Sequence, residues 1–228
     1  MSRRWLCLRF AAPLMSFGGV AVDHIGPTLR WPGRSMITGL IGNALGWNWT
    51  ERAGHQSLQE RLITAAALLS EGEIITDVQN AQLSKTDIGW TTRGYTEGRA
   101  GDSYGSPHRR RRDYVADADI AVVLTLEPSE KEPSLDDVCN ALIRPARPLF
   151  LGRKPCLPSC PLVAHGEPFI NASTAHEALR MTIDKSGVRA WWPESEGPNG
   201  VRVQEVADLR NWDSGLHGDT RFVHEGEL

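Results

Sequence analysis

Residues 113–126, DYVADADIAVVLTL, form the clearest strand in the sequence. Their place in the order of elements decides the fold. Directly before them stand four consecutive arginines, Arg109 to Arg112, in a chain whose formal net charge is −3. Working outward, EIITDVQNAQL (73–83) reads as the preceding strand. Between the two lies a segment, 85–112, with almost no apolar periodicity and many Gly, Thr and Ser residues.

Upstream, RWLCLRF (4–10) alternates polar and apolar residues, as a half-buried strand does. A loop dense in Gly and Pro follows. In RSMITGLIGNALGW (34–47), Met36, Ile37, Leu40, Ile41, Ala44 and Leu45 recur at helical spacing, and Ser35 is a candidate cap. The glycines at 39, 42 and 46 weaken an isolated helix but allow another backbone, or a phosphate, to come close. HQSLQERLITAAALLSEG (55–72) reads as a second helix or a continuation of the first, ended by Gly72.

Downstream, SLDDVCNALIRP (134–145) is an amphipathic helix with Ser134 as its cap, stopped before Pro145. PLFLGRK (148–154) reads as a final strand. The order β, α, β, β, α, β over residues 4–154 is that of an α+β, ferredoxin-like domain. Residues 85–112 are then a long insertion between its middle strands. GVRAWWPES (187–195) and GVRVQEVADL (200–209) predict strands of a small, mostly-β subdomain over 155–228.

Charge is segregated along the chain. The insertion holds Lys85, Arg93, Arg99 and Arg109 to Arg112 against Asp87, Glu97 and Asp102, a net +4, while the remainder is −7. Residues 1–34 hold five arginines against Asp23 alone. Residues 144–154 hold Arg144, Arg147, Arg153 and Lys154 with no acid, whereas the tail from Trp192 is −5. If the basic loops converge beside the sheet, they make a groove for a polyanion. Trp31, Trp90, Tyr95 and Tyr104 lie within them, and aromatic rings among cations can stack unpaired bases.

Other classes are disfavoured. No apolar run approaches the roughly 20 residues of a membrane helix. The N-terminal stretch, interrupted by Arg9 and Pro13, reads as a strand rather than a leader, so a cytoplasmic location is expected. Cys7, Cys139, Cys156 and Cys160 are too scattered for a disulfide framework. Cys156 and Cys160 form a lone C-x3-C pair without further ligands at zinc-motif spacing, so no metal or other cofactor is expected.

WPGRSMITGLIGNALG (31–46), the insertion ending in RRRRDYVADADIAVVL, and RPARPLFLGRKPCLPSCPL (144–162) resemble the CasD family. These are the RAMP-type, Cas-five subunits of the type I-E CRISPR Cascade complex. The resemblance spans most of residues 4–165 and implies an RRM-like fold with a protruding thumb, here most of 85–112. It implies a subunit that holds the 5′ handle of the CRISPR RNA. Its partners would be the repeated backbone subunit, the large subunit and target DNA within the complex.

The matching RNA-binding positions are Arg34 and Ser35, the thumb arginines Arg93, Arg99 and Arg109 to Arg112, and Gly152, Arg153 and Lys154. Lys85, Tyr104, Arg144 and Arg147 in the same basic segments are further RNA-binding candidates. A helix start offers free N–H groups to phosphate, and arginine grips phosphate bidentately. The competing reading is a metal-independent endoribonuclease that processes precursor RNA. His24, His108, Tyr104 and Lys85 are its candidate proton-transfer groups. They form no fixed-spacing catalytic signature, and the expectation is a non-catalytic subunit.

Overall fold

The computed structural model describes residues 2–82, 84, 87–90, 95–97, 107–163 and 166–228. Lys85, Arg93, Arg99 and Tyr104 lie outside them. In chain order the elements are β1 (Arg3–Ala11), β2 (Leu14–Met15), β3 (Ile25–Gly26), α1 (Arg34–Ala44), α2 (Arg52–Arg61), β4 (Leu62–Ser70) and β5 (Glu73–Ala81). A two-residue pair follows, β6 (Gly89–Trp90) with β7 (Thr96–Glu97). Then come β8 (His108–Ala116), β9 (Asp119–Leu126), α3 (Leu135–Ile143), β10 (Phe169–Ala172), α4 (Ala175–Thr182), β11 (Arg189–Pro193), β12 (Arg202–Val206) and β13 (Arg221–Glu227).

Seven strands form one antiparallel sheet in the order β10-β1-β9-β4-β11-β13-β12. Both faces of its centre are covered. On β1, Leu6, Leu8 and Phe10 join the core under α1, α2 and α3, while Trp5 points to the opposite core under α4. On β9, Ile120, Val122 and Leu124 face the first core and Val123 the second. This alternation is the period of two that a strand imposes. The second core sets Trp5, Leu179 and Trp192 among small residues, Ala65, Ala67, Ala172, Ala175, Ala178 and Ala190.

A second sheet is built around β8. β5 runs antiparallel along its whole length, and β2 and β3 share its other edge.

Several expectations need correction. Residues 55–72 are not one helix, because α2 ends at Arg61 and β4 begins at Leu62. The Ala-rich run LITAAALLS suits a helix by intrinsic propensity, but it lies between β9 and β11, where a small apolar side chain is needed on both faces. Residues 113–126 are two strands in different sheets, divided at Asp117, which takes a left-handed φ of 54°. The turn redirects the chain from the β8 sheet into the large sheet.

PLFLGRK is not a strand, and Gly152 within it has φ 99°. The strand that pairs with the outer edge of β1 is β10. The C-terminal strands build no sheet of their own, since β11 continues the main sheet from β4 across the expected boundary at 154/155. By contrast, Ser134 caps α3 as expected, its hydroxyl accepting from the Asp137 amide while Asp137 accepts from the Ser134 amide. No described helix is long and apolar enough to cross a membrane.

Candidate nucleic-acid interface

Arg109 to Arg112 occupy the first half of β8. The ladder to β5 runs without a bulge, pairing Arg112 with Asp77, Arg111 with Val78, Arg110 with Gln79 and Arg109 with Asn80. Successive side chains therefore leave opposite faces. Arg110 and Arg112 share one face and are tethered. Arg110 Nη1 donates to the Asp23 carbonyl at 2.9 Å, and Arg112 Nε donates to Gln79 Oε1 at 3.2 Å. Arg109 and Arg111 share the other face, both exposed. Their guanidinium groups make no hydrogen bond or ion pair with a described residue, although the Arg111 amide donates to the His24 carbonyl at 2.9 Å.

The start of α1 is closed rather than free. Asp208 Oδ2 accepts from the Arg34 amide at 2.9 Å, and the Asp208 carbonyl accepts from the Ser35 amide at 2.9 Å. The same carboxylate is held by Arg221, which leaves one acid between two arginines. Burial, and then the charge of Arg221, push the Arg34 guanidinium down to about 10, against the pull of Asp208. Arg34 Nε and Arg221 Nη1 are buried without a partner.

In the 144–154 segment the structure divides the basic residues. Arg147 is a clamp on the end of α1, donating from Nη2 to the Gly46 carbonyl at 2.9 Å and to Asn48 Oδ1 at 2.8 Å, and from Nη1 to the Trp47 carbonyl. Arg153 ties the second sheet together, donating to the carbonyls of Asp113 at 3.0 Å and Gly26 at 3.1 Å beneath the ring of Tyr114. Gly152 is required by packing, since a Cβ there would stand 1.6 Å from the Ser16 carbonyl oxygen. Arg144, at the C-terminal cap of α3, and Lys154 are exposed.

A cavity of about 660 Å³ brings Ser35, Gly152 and Arg153 together with residues that the sequence reading missed: Trp47, Trp49, Arg52, His55, Arg210 and Trp212. Their signal in the sequence is two short repeats, Trp-Asn-Trp at 47–49 and Arg-Asn-Trp at 210–212, which set aromatic rings in polar loops. Trp31 does not serve as a stacking surface, because it is buried and stacked on Trp191 at 5.9 Å. Tyr95 is exposed, whereas the side chain of Trp90 lies outside the described residues.

His24 donates from Nδ1 to Asp23 Oδ2 at 2.9 Å, and this contact holds the Asp23 carboxyl below its ordinary range. His108 is exposed at the start of β8. Among the described residues no three His, Cys, Asp or Glu are placed to hold a metal ion. Cys156 is buried, and burial raises its thiol pKa.

The chain is 29% identical over 160 residues to the CRISPR system Cascade subunit CasD of Escherichia coli (strain K12), covering 70% of this chain and 68% of that protein. Its fold is similar to that of a chain in a solved CRISPR RNA-guided surveillance complex, with a TM-score of 0.70 at 20% identity, covering 98% of this chain and 90% of the other. A second solved structure, a crystal structure of a Cas protein, aligns at a TM-score of 0.63 and 20% identity over 98% of this chain and 94% of that one. The family model for CRISPR-associated protein (Cas_Cas5) matches residues 5–224, from β1 into β13. With nearly its whole length matched by that model, the chain belongs to the CRISPR-associated Cas5 family.

Proposed function

We propose that this chain is a non-catalytic, RNA-binding subunit of a Cascade-type CRISPR surveillance complex, holding the 5′ handle of the CRISPR RNA. The observation that carries the reading is the exposed Arg109–Arg111 face of β8, two cations aligned on one strand and left without described protein partners. Two guanidinium groups on the same face stand two residues apart, about 7 Å along the strand, a spacing that suits neighbouring phosphates of one RNA strand. Family membership and the likeness to CasD support the assembly, with a backbone subunit, a large subunit and target DNA as the further partners.

The architecture is read in the same terms. β1, β4, β9 and β10, with α1 and α2 after the first strand and α3 after the third, have the connectivity and neighbour order of a ferredoxin-like unit. The β5–β8 ladder, which runs out to the Ala81–His108 pair, is the base of a thumb. The role is to hold RNA rather than to cut it. His24 and His108 are both exposed, and among the described residues the His24–Asp23 contact at 2.9 Å is the one that pairs either imidazole with an acid.

The test is a filter-binding titration of the full chain with repeat-derived RNA at several salt concentrations. Neutralising about six phosphates gives a log–log slope of roughly −4 for a single strand. A flat dependence overturns the proposal. The RNA is expected to stay intact with and without EDTA. Cutting that persists in EDTA and disappears in His24→Ala or His108→Ala would establish the nuclease instead.

A further inference from the structure

We propose that the groove between the α1–α2 turn and the 209–215 loop is a stacking site for one unpaired nucleobase of the bound RNA. This rests on the RNA-binding reading above and adds a site made of residues outside the arginine strand. The groove is built rather than incidental. Trp212 stacks on His55 with centroids 4.6 Å apart and planes 23° apart, and Trp47 meets His55 edge-on at 5.2 Å. His55 is fixed in turn, its Nδ1 donating to the Glu51 carbonyl at 2.8 Å.

Gln59, almost fully buried, fastens the loop. Its Oε1 accepts from Trp212 Nε1 and from the Arg210 amide, both at 3.1 Å, and its Nε2 donates to the Arg210 carbonyl at 2.8 Å. The rings are therefore held before any ligand arrives, which lowers the ordering cost of binding. The outer wall is Trp49, 78% exposed, with Arg52 over its ring at 5.6 Å.

Charge selects the occupant. Arg52, Arg153 and Arg210 line the groove against Asp213 alone. Aromatic cages that take ammonium groups do not carry such an excess of cations. A flat π-system attached to an anionic backbone fits both features. The cavity, about 660 Å³, falls in the range of about 300–1,000 Å³ usual for small-molecule sites. It is also continuous with the arginine strand, because its wall residue Arg153 is bonded to Asp113, the residue next to Arg112.

The experiment is an abasic walk. Repeat-derived RNAs, each with one abasic residue at a different position of the handle, are bound to the full chain and to Trp49→Ala, Trp212→Ala and Trp212→Phe. One position is expected to weaken binding to the unaltered chain at least fivefold, or about 1 kcal/mol at 1.4 kcal/mol per tenfold. Trp49→Ala and Trp212→Ala should weaken intact RNA by a similar factor and abolish the penalty at that one position, while Trp212→Phe retains it. Because Trp49 is exposed, its loss tests the site without disturbing the core. The base site is overturned if every abasic position stays within twofold, or if the penalties simply multiply with those of the variants. A groove that receives a partner protein's side chain gives that same result. If the chain binds no RNA, both readings fall. If binding is intact and salt-dependent but shows no coupled position, only the base site falls.

Discussion

Asp208 and Arg221 face each other through two parallel hydrogen bonds, from Arg221 Nε to Oδ1 at 2.8 Å and from Nη2 to Oδ2 at 2.7 Å. The pair is nearly dry, with side-chain exposures of 2% and 11%. Asp208 also takes the first two amides of α1, so one residue joins the last strand to the first helix. Removing its carboxylate leaves two buried cations, Arg34 and Arg221, uncompensated. Asp208→Ala is expected to lose about 3–5 kcal/mol in urea unfolding, the range for breaking a buried pair from one side. Adding Arg221→Met should recover at least half of that loss. A loss below about 1 kcal/mol would show that the carboxylate is not the tie described.

Gly152 and Gly187 separate packing from backbone strain. Both have positive φ, 99° and 72°, but a Cβ at 152 meets the Ser16 carbonyl at 1.6 Å, whereas at 187 nothing lies within 4 Å. Gly187→Ala should cost about 1 kcal/mol from its left-handed backbone alone. Gly152→Ala should cost several times more or prevent folding. Thermal melts of the two variants compare them, and similar costs would contradict the close approach.

The capping box of α3 carries a pH signature. The hydroxyl of Ser134, then its backbone amide, hold the Asp137 carboxyl below its ordinary value of 3.8. A carboxylate whose folded value is depressed contributes its stability above 3.8 and loses it as pH falls through the folded value. Asp137→Ala is therefore expected to cost about 1 kcal/mol at pH 7, and that difference should shrink as pH is taken below 3.8. Urea unfolding of both proteins at pH 7 and pH 3 measures it. A difference independent of pH would place the effect elsewhere.

What the sequence makes legible is local. β1 alternates, Ser134 sits three residues before Asp137, and α1 begins at Arg34 in the Pro-x-Arg-Ser stretch, although its N-cap is Gly33 and the expected cap Ser35 lies inside the helix. The strand identity of Leu62–Ser70 is hidden because a continuous apolar, Ala-rich run has no period to read, and only its neighbours β9 and β11 decide it. The break at Asp117 is hidden because a single left-handed residue turns the chain without any Gly or Pro to mark it. For the site, the sequence exposes charge but not pairing. Arg147, Arg153 and Arg109 look alike as letters, yet the first two are bound to backbone carbonyls and the third is free of described partners. The aromatic groove joins residues more than 150 apart, such as Gln59 and Trp212, beyond the reach of any local pattern.

The central claim is that β8 presents RNA with one face of its arginine run and keeps the other for the protein. The Arg110 and Arg112 guanidinium groups are held by Asp23 and Gln79, whereas those of Arg109 and Arg111 are not held by any described residue. The direct measurement is the affinity for repeat-derived RNA of two double variants, Arg109→Ala/Arg111→Ala and Arg110→Ala/Arg112→Ala, across salt concentrations. The 109/111 variant is expected to lose at least about 1 kcal/mol more than the 110/112 variant, the scale of a charge-assisted hydrogen bond. Its log–log salt slope should also become shallower by about 1.4, because two phosphates of a single strand are no longer neutralised. Equal losses with equal slopes would contradict the account and reduce the run to diffuse charge.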